Sequence, residues 1–133
     1  CFVGMTAAAT TAINSADTLL LATAGFRRVH NFGVLTETNW QFHTANGTSQ
    51  TKVNTGVPFV AGHEYEFSIF SPPGGADVKW KITNVTTGAT AEGSATATLP
   101  NALVMMRPAI AVTTINAVAR RLWLQTMYCE SDR

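Results

Sequence analysis

Three stretches in the middle of the chain alternate apolar and polar residues with a period of two. Trp40 and Phe42 are separated by Gln41 and followed by His43; Tyr65, Phe67 and Ile69 alternate with Glu64, Glu66 and Ser68; Val78, Trp80 and Ile82 alternate with Lys79, Lys81 and Thr83. Successive side chains of a strand point to opposite faces, so this pattern predicts half-buried strands with one row in a core and the other in water. On that reading Trp40 and Trp80 are core residues, whereas Lys79 and His43 lie on polar faces.

Turn chemistry separates the runs. Asn46-Gly47 supplies residues tolerant of positive φ, as a hairpin requires. Ala61-Gly62 precedes one strand, Ser71-Pro72-Pro73-Gly74-Gly75 breaks the chain before the next, and Thr87-Gly88 opens a small-residue ribbon from Ala89 to Leu99 that Pro100-Asn101 stops. Turns at this spacing predict an all-β antiparallel sandwich or barrel. Towards the ends, Thr6 to Ala16 reads as extended or irregular. Leu19 to Thr23, Arg27 to Leu35, Val104 to Val112 and Ala117 to Tyr128 are further strand candidates, and Leu122 to Tyr128 reads as a final extended strand rather than a helix.

Length and composition place these strands in one domain, residues 1–133, with the chain either processed or a C-terminal piece of something longer. Apolar residues make up 46% of the chain and charged ones 13%, about half the usual charged share, which points to surface hidden against partners. Nine Lys+Arg against eight Asp+Glu leave a net charge of +1, which is no footprint for nucleic acid. The pairs Arg27-Arg28 and Arg120-Arg121 read as solvated or interface-paired side chains rather than a phosphate site. No run approaches the roughly 20 apolar residues of a membrane helix, so no membrane insertion is expected. Cys1 and Cys129 read as two unrelated thiols.

Candidate chemistry is sparse. His30, His43 and His63 are scattered singly, and a metal site needs several converging ligands. The nearest approach to a cluster is His63 with Glu64 and Glu66, whose carboxylates share a strand face open to solvent. There is no G-x-S-x-G, no His near either Cys in sequence, and no carboxylate pair singled out for glycoside chemistry. The expectation is therefore a non-enzymatic domain with no catalytic, metal or cofactor site. Trp123 shares its parity with Arg121 and Gln125, opposite Leu122 and Leu124, so Trp123, Arg120 and Arg121 are the candidate interface or ligand contacts. Subunit packing is the plainer use of Trp123, sugar stacking the sharper one. Asn46-Gly47-Thr48 and Asn84-Val85-Thr86 match the glycosylation pattern.

Several phrases, taken in order, resemble the C-terminal β domains of bacteriophage tail-fibre and head-fibre proteins: Trp40-x-Phe42, Asn46-Gly47-Thr48, Thr55-Gly56-Val57, Ala61-Gly62-x-x-Tyr65-x-Phe67, Thr86-Thr87-Gly88, Met106-Arg107-Pro108 and Met127-Tyr128-x-Glu130-x-Asp132. The resemblance implies a jelly-roll or concanavalin-like sandwich in a virion, assembled as a homotrimer with other virion proteins and recognising a host surface, its glycans included, without turnover. A carbohydrate-binding module of a larger enzyme and a capsid decoration protein are the alternatives.

Overall fold

The computed structural model describes residues 1–7, 21–29, 37–72, 76–101, 103–112 and 123–130. The strands are β1 (Phe2–Thr6), β2 (Thr23–Arg27), β3 (Asn39–Ala45), β4 (Gln50–Pro58), β5 (Tyr65–Phe70), β6 (Val78–Asn84), β7 (Thr90–Ala95) and β8 (Arg107–Ala111). They form two antiparallel sheets, ordered β4-β3-β2-β1-β8 and β5-β6-β7, packed as a sandwich. All-β architecture is therefore as the alternation predicts.

The three central runs become β3, β5 and β6. Trp40, Phe42, Val78, Trp80 and Ile82 are buried between the sheets, with Tyr65, Phe67 and Ile69 half-buried against them. Phe26 meets Phe67 at 4.9 Å between ring centroids, Trp40 meets Phe67 at 4.9 Å, and Phe42 stacks on Trp80 at 5.5 Å. Aromatic contacts across the interior thus join the two sheets. Gly93 pairs with Trp80 across β6 and β7, and a Cβ there would lie 2.7 Å from the indole.

A second tie is polar. The Thr44 hydroxyl donates to the Ala97 carbonyl at 2.9 Å, and the Thr98 hydroxyl lies within reach of the Thr44 carbonyl and of Thr51 Oγ1. Thr98 holds φ at +50°, a conformation costly for a β-branched residue and sustained here by these bonds. The hairpin at Asn46-Gly47 forms as expected. Asn46 Oδ1 accepts from the Thr48 and Ser49 amides, and β4 follows from Gln50.

Four expectations need correction. The strand near the Arg27-Arg28 pair is Thr23–Arg27, centred between the predicted segments Leu19 to Thr23 and Arg27 to Leu35. Its Gly25 faces Gly4 of β1, and a Cβ at Gly25 would sit 2.7 Å from the Val3 carbonyl. A glycine inside a strand marks such a close approach, and the apolar pattern does not reveal it. His43 is not in water: it is 0% exposed. Arg27 is likewise 0% exposed and pairs with Glu37, so it is not a solvated or interface residue. Finally, Trp123 to Tyr128 forms no strand. β8 lies within the predicted Val104 to Val112, while β1 covers a stretch with no alternating signal. His30, Arg120, Arg121, residues 8–16 of the Thr6 to Ala16 segment and residues 117–122 lie outside the described residues.

Candidate functional site

The molecule offers three places where chemistry or recognition is conceivable, and the local sequence explains each. The first is the charged cluster on the outer face of the five-stranded sheet. Arg27 Nη2 donates to Glu37 Oε1 at 3.1 Å, the Val29 amide donates to Glu37 Oε2 at 2.8 Å, and Lys52 Nζ lies 3.7 Å from Oε1. Register places Arg27 opposite Gln41, and His43 opposite both Gly25 and Lys52. Arg28 instead lays its guanidinium 4.1 Å from the centre of the Phe59 ring. The Cys1 amine donates to the Arg28 carbonyl; burial, then the Arg28 and Arg27 charges, draw its pKa below the ordinary amine value. This arrangement neutralises a buried guanidinium. Among the described residues it holds no nucleophile with an oriented base.

The histidine cluster does not converge. His63 lies in the turn before β5, where Asn84 Nδ2 donates to its Nδ1 at 3.0 Å, while Glu64 and Glu66 stay exposed as expected. Asn84 is buried and also caps the turn after β6 by accepting from the Thr87 amide. That sequon asparagine is therefore a structural residue, whereas Asn46 sits exposed at a hairpin tip. Among the described residues, no three His, Cys, Asp or Glu side chains group as a metal site. Both cysteines are free, Cys129 exposed and Cys1 half-buried.

The second place is an open cleft of about 510 Å³ on the three-stranded sheet, lined in part by Ser68, Phe70, Asp77, Lys79, Lys81 and Glu92. Phe70 stands half-exposed at the end of β5, opposite Lys79. The alternation explains it: residues between the core positions point outwards, and their mixed charges make a polar floor around one aromatic ring.

The third is a set of exposed large apolar side chains in two segments. Leu103 is 93% and Met105 92% exposed just before β8; Trp123 is 84% and Tyr128 81% exposed in residues 123–130, where Leu124 and Met127 also face solvent. Trp123 is thus where the sequence reading allowed it to be, at the surface. The segment 123–130 forms no turn, helix or strand. Gln125 Nε2 donates to Glu64 Oε1 at 3.1 Å, and Tyr128 donates to Glu130 at 2.8 Å, a bond that raises the pKa of the phenol. No family model, curated protein or solved structure matches this chain. Sequence reasoning singled out Trp123 by its parity. It missed Phe70, which counts as an ordinary strand residue unless the end of β5 is known.

Proposed function

We propose that this domain is a bacteriophage virion component, a fibre or receptor-binding domain that assembles with copies of itself and recognises a host surface without catalysis. The observation that carries this reading is the exposure of Leu103, Met105, Trp123, Leu124, Met127 and Tyr128 in a chain with only 13% charged residues. Exposed apolar side chains concentrated in a few segments mark interaction surfaces. The ordered phrases described above supply the virion setting and the trimer. Jelly-roll or concanavalin-like connectivity comes from the same resemblance; the two antiparallel sheets support the sandwich, while β1 to β4 follow one another within one sheet and do not cross to the other as a jelly roll requires.

Light scattering after size exclusion, at micromolar protein and moderate salt, tests it. About three times the 14.2 kDa chain mass is expected. A monomer that persists on concentration overturns the assembly reading and favours a carbohydrate-binding module. The cleft around Phe70 is the observation that favours that second reading, because an aromatic ring among hydrogen-bonding side chains suits a sugar. Glycan binding by the monomer, abolished in Phe70→Ala, would establish it.

A further inference from the structure

The two sheets are unequal. β5 lies over β2, as the contact of Phe67 with Phe26 shows, and β7 and β6 lie over β4. The five-stranded sheet continues past β2 into β1 and β8, and the described strands of the smaller sheet pack mainly on β2 and β4 rather than on those two. Their inward row, Val3, Met5, Pro108 and Ile110, is only half-buried. Among the described residues, no strand lies beside β5 on that side.

The free edge of β5 is ready to receive one. The Val85 amide donates to the Glu64 carbonyl, which fixes the hydrogen-bonding phase of the β5–β6 ladder. In an antiparallel pair, alternate residues direct both backbone groups to the partner. Glu64, Glu66, Ser68 and Phe70 therefore face β6, and Tyr65, Phe67 and Ile69 direct three N–H and three C=O groups outwards, where they have no protein partner. There is no proline in this strand to blunt the edge.

The chain also carries a segment with the complementary need. Residues 123–130 are exposed throughout and make no backbone hydrogen bond. Laid out as a strand, the segment places Trp123 and Met127 on one row and Leu124 and Tyr128 on the other, with Glu130 its one charge. One of these rows would close over Val3, Met5 and Ile110. Eight residues span about 26 Å, enough to run the length of β5. Trp123 and Tyr128 alone offer roughly 300–500 Å², a large part of the ~800 Å² per partner of a specific interface.

We infer that the free edge of β5 is a strand-addition site for residues 123–130 of a second copy of this chain. Gln125 already bonds Glu64 at the start of β5 within one chain, yet the ladder beyond it is not made. Strand exchange reuses a contact of this kind between copies, at little cost, and closes an oligomer. The inference rests on the self-assembly reading and specifies its joint: the arm of each copy completes the sandwich of a neighbour.

The test compares the full chain with a deletion of residues 123–130, which removes only exposed residues and leaves the core intact. The full chain should be oligomeric and the deletion monomeric, with amide exchange at Phe67 and Ile69 at least about tenfold faster in the deletion. A full-length oligomer whose mass the deletion leaves unchanged overturns the exchange arm and spares the assembly reading; a full-length monomer overturns both. Disulfide trapping identifies the donor. With Cys1→Ser throughout, copies carrying Cys129 are mixed with Cys129→Ser copies bearing Ser68→Cys. Pairing of Gln125 with Glu64 in the parallel register, the one that runs along β5 past Phe67 and Ile69, brings Cys129 to Ser68. A bond between unlike copies is expected. Should none form, while a single chain carrying both Cys129 and Ser68→Cys closes the bond within itself, the arm closes on its own β5 and exchange is excluded.

Discussion

In β6, Val78, Trp80 and Ile82 are buried while Lys79 and Lys81 between them are exposed; in β3, Trp40 and Phe42 are buried, and so is His43, which follows them on the opposite face. The two strands carry the same alternation and meet different surroundings. The three-stranded sheet has one face on the core and one in water, so polarity and burial coincide from Tyr65 to Ile69 and from Val78 to Ile82. The larger sheet is buried on both faces at its centre. There a polar row cannot be solvated, and Arg27, Thr23 and His43 are enclosed. Alternation therefore reports which side chains share a face, and it reports burial only where the other face is open. Arg27 needs Glu37 because a guanidinium taken out of water must be paired.

This contrast can be broken by substitution. Trp80→Ala should cost the most, about 3–5 kcal/mol, since it empties a large aromatic from between the sheets. Denaturant titration measures it, and a loss below 1 kcal/mol would show that the smaller sheet is not seated on the larger. Glu37→Ala should cost about 3 kcal/mol by removing a carboxylate paired with the buried Arg27 guanidinium. Replacing both, Arg27→Met with Glu37→Leu, should recover much of that loss. Failure of the double variant to recover would mean that the outer face of the larger sheet needs the ion pair itself and not merely neutrality.

Gly25→Ala should cost about 1–3 kcal/mol, because the new Cβ meets the Val3 carbonyl and the Gly4 backbone, which cannot swing aside. A neutral result by thermal melting would place β1 further from β2 than described. The finest comparison sets His43→Ala against Lys79→Ala, two polar-row residues. About 2 kcal/mol is expected for His43, and no more than about 0.5 kcal/mol for Lys79. Equal costs would erase the distinction between the sheets.

For the candidate surfaces, legibility followed the same division. Trp123 stood out because its strand parity set it beside Arg121 and Gln125, and it is exposed, although the strand that argument presumed is not formed at 123–130. An extended apolar segment pairs only where a partner edge is supplied. The free edge of β5 could not be read at all, since the phase of its hydrogen bonds depends on how Glu64 meets Val85.

By itself the sequence determined the all-β class, the three central strands, the hairpin at Asn46-Gly47 and the inward placement of Trp40, Phe42, Trp80 and Ile82. These rest on local rules, the two-residue period and the tolerance of Asn and Gly for turn conformations. Only the tertiary structure decided that Arg27 and His43 are buried, that Gly25 packs on Gly4, and that, among the described residues, five strands oppose three. Each of those depends on what another part of the chain brings to a face, an edge or a backbone, and the side chains along one strand carry no record of their distant neighbours.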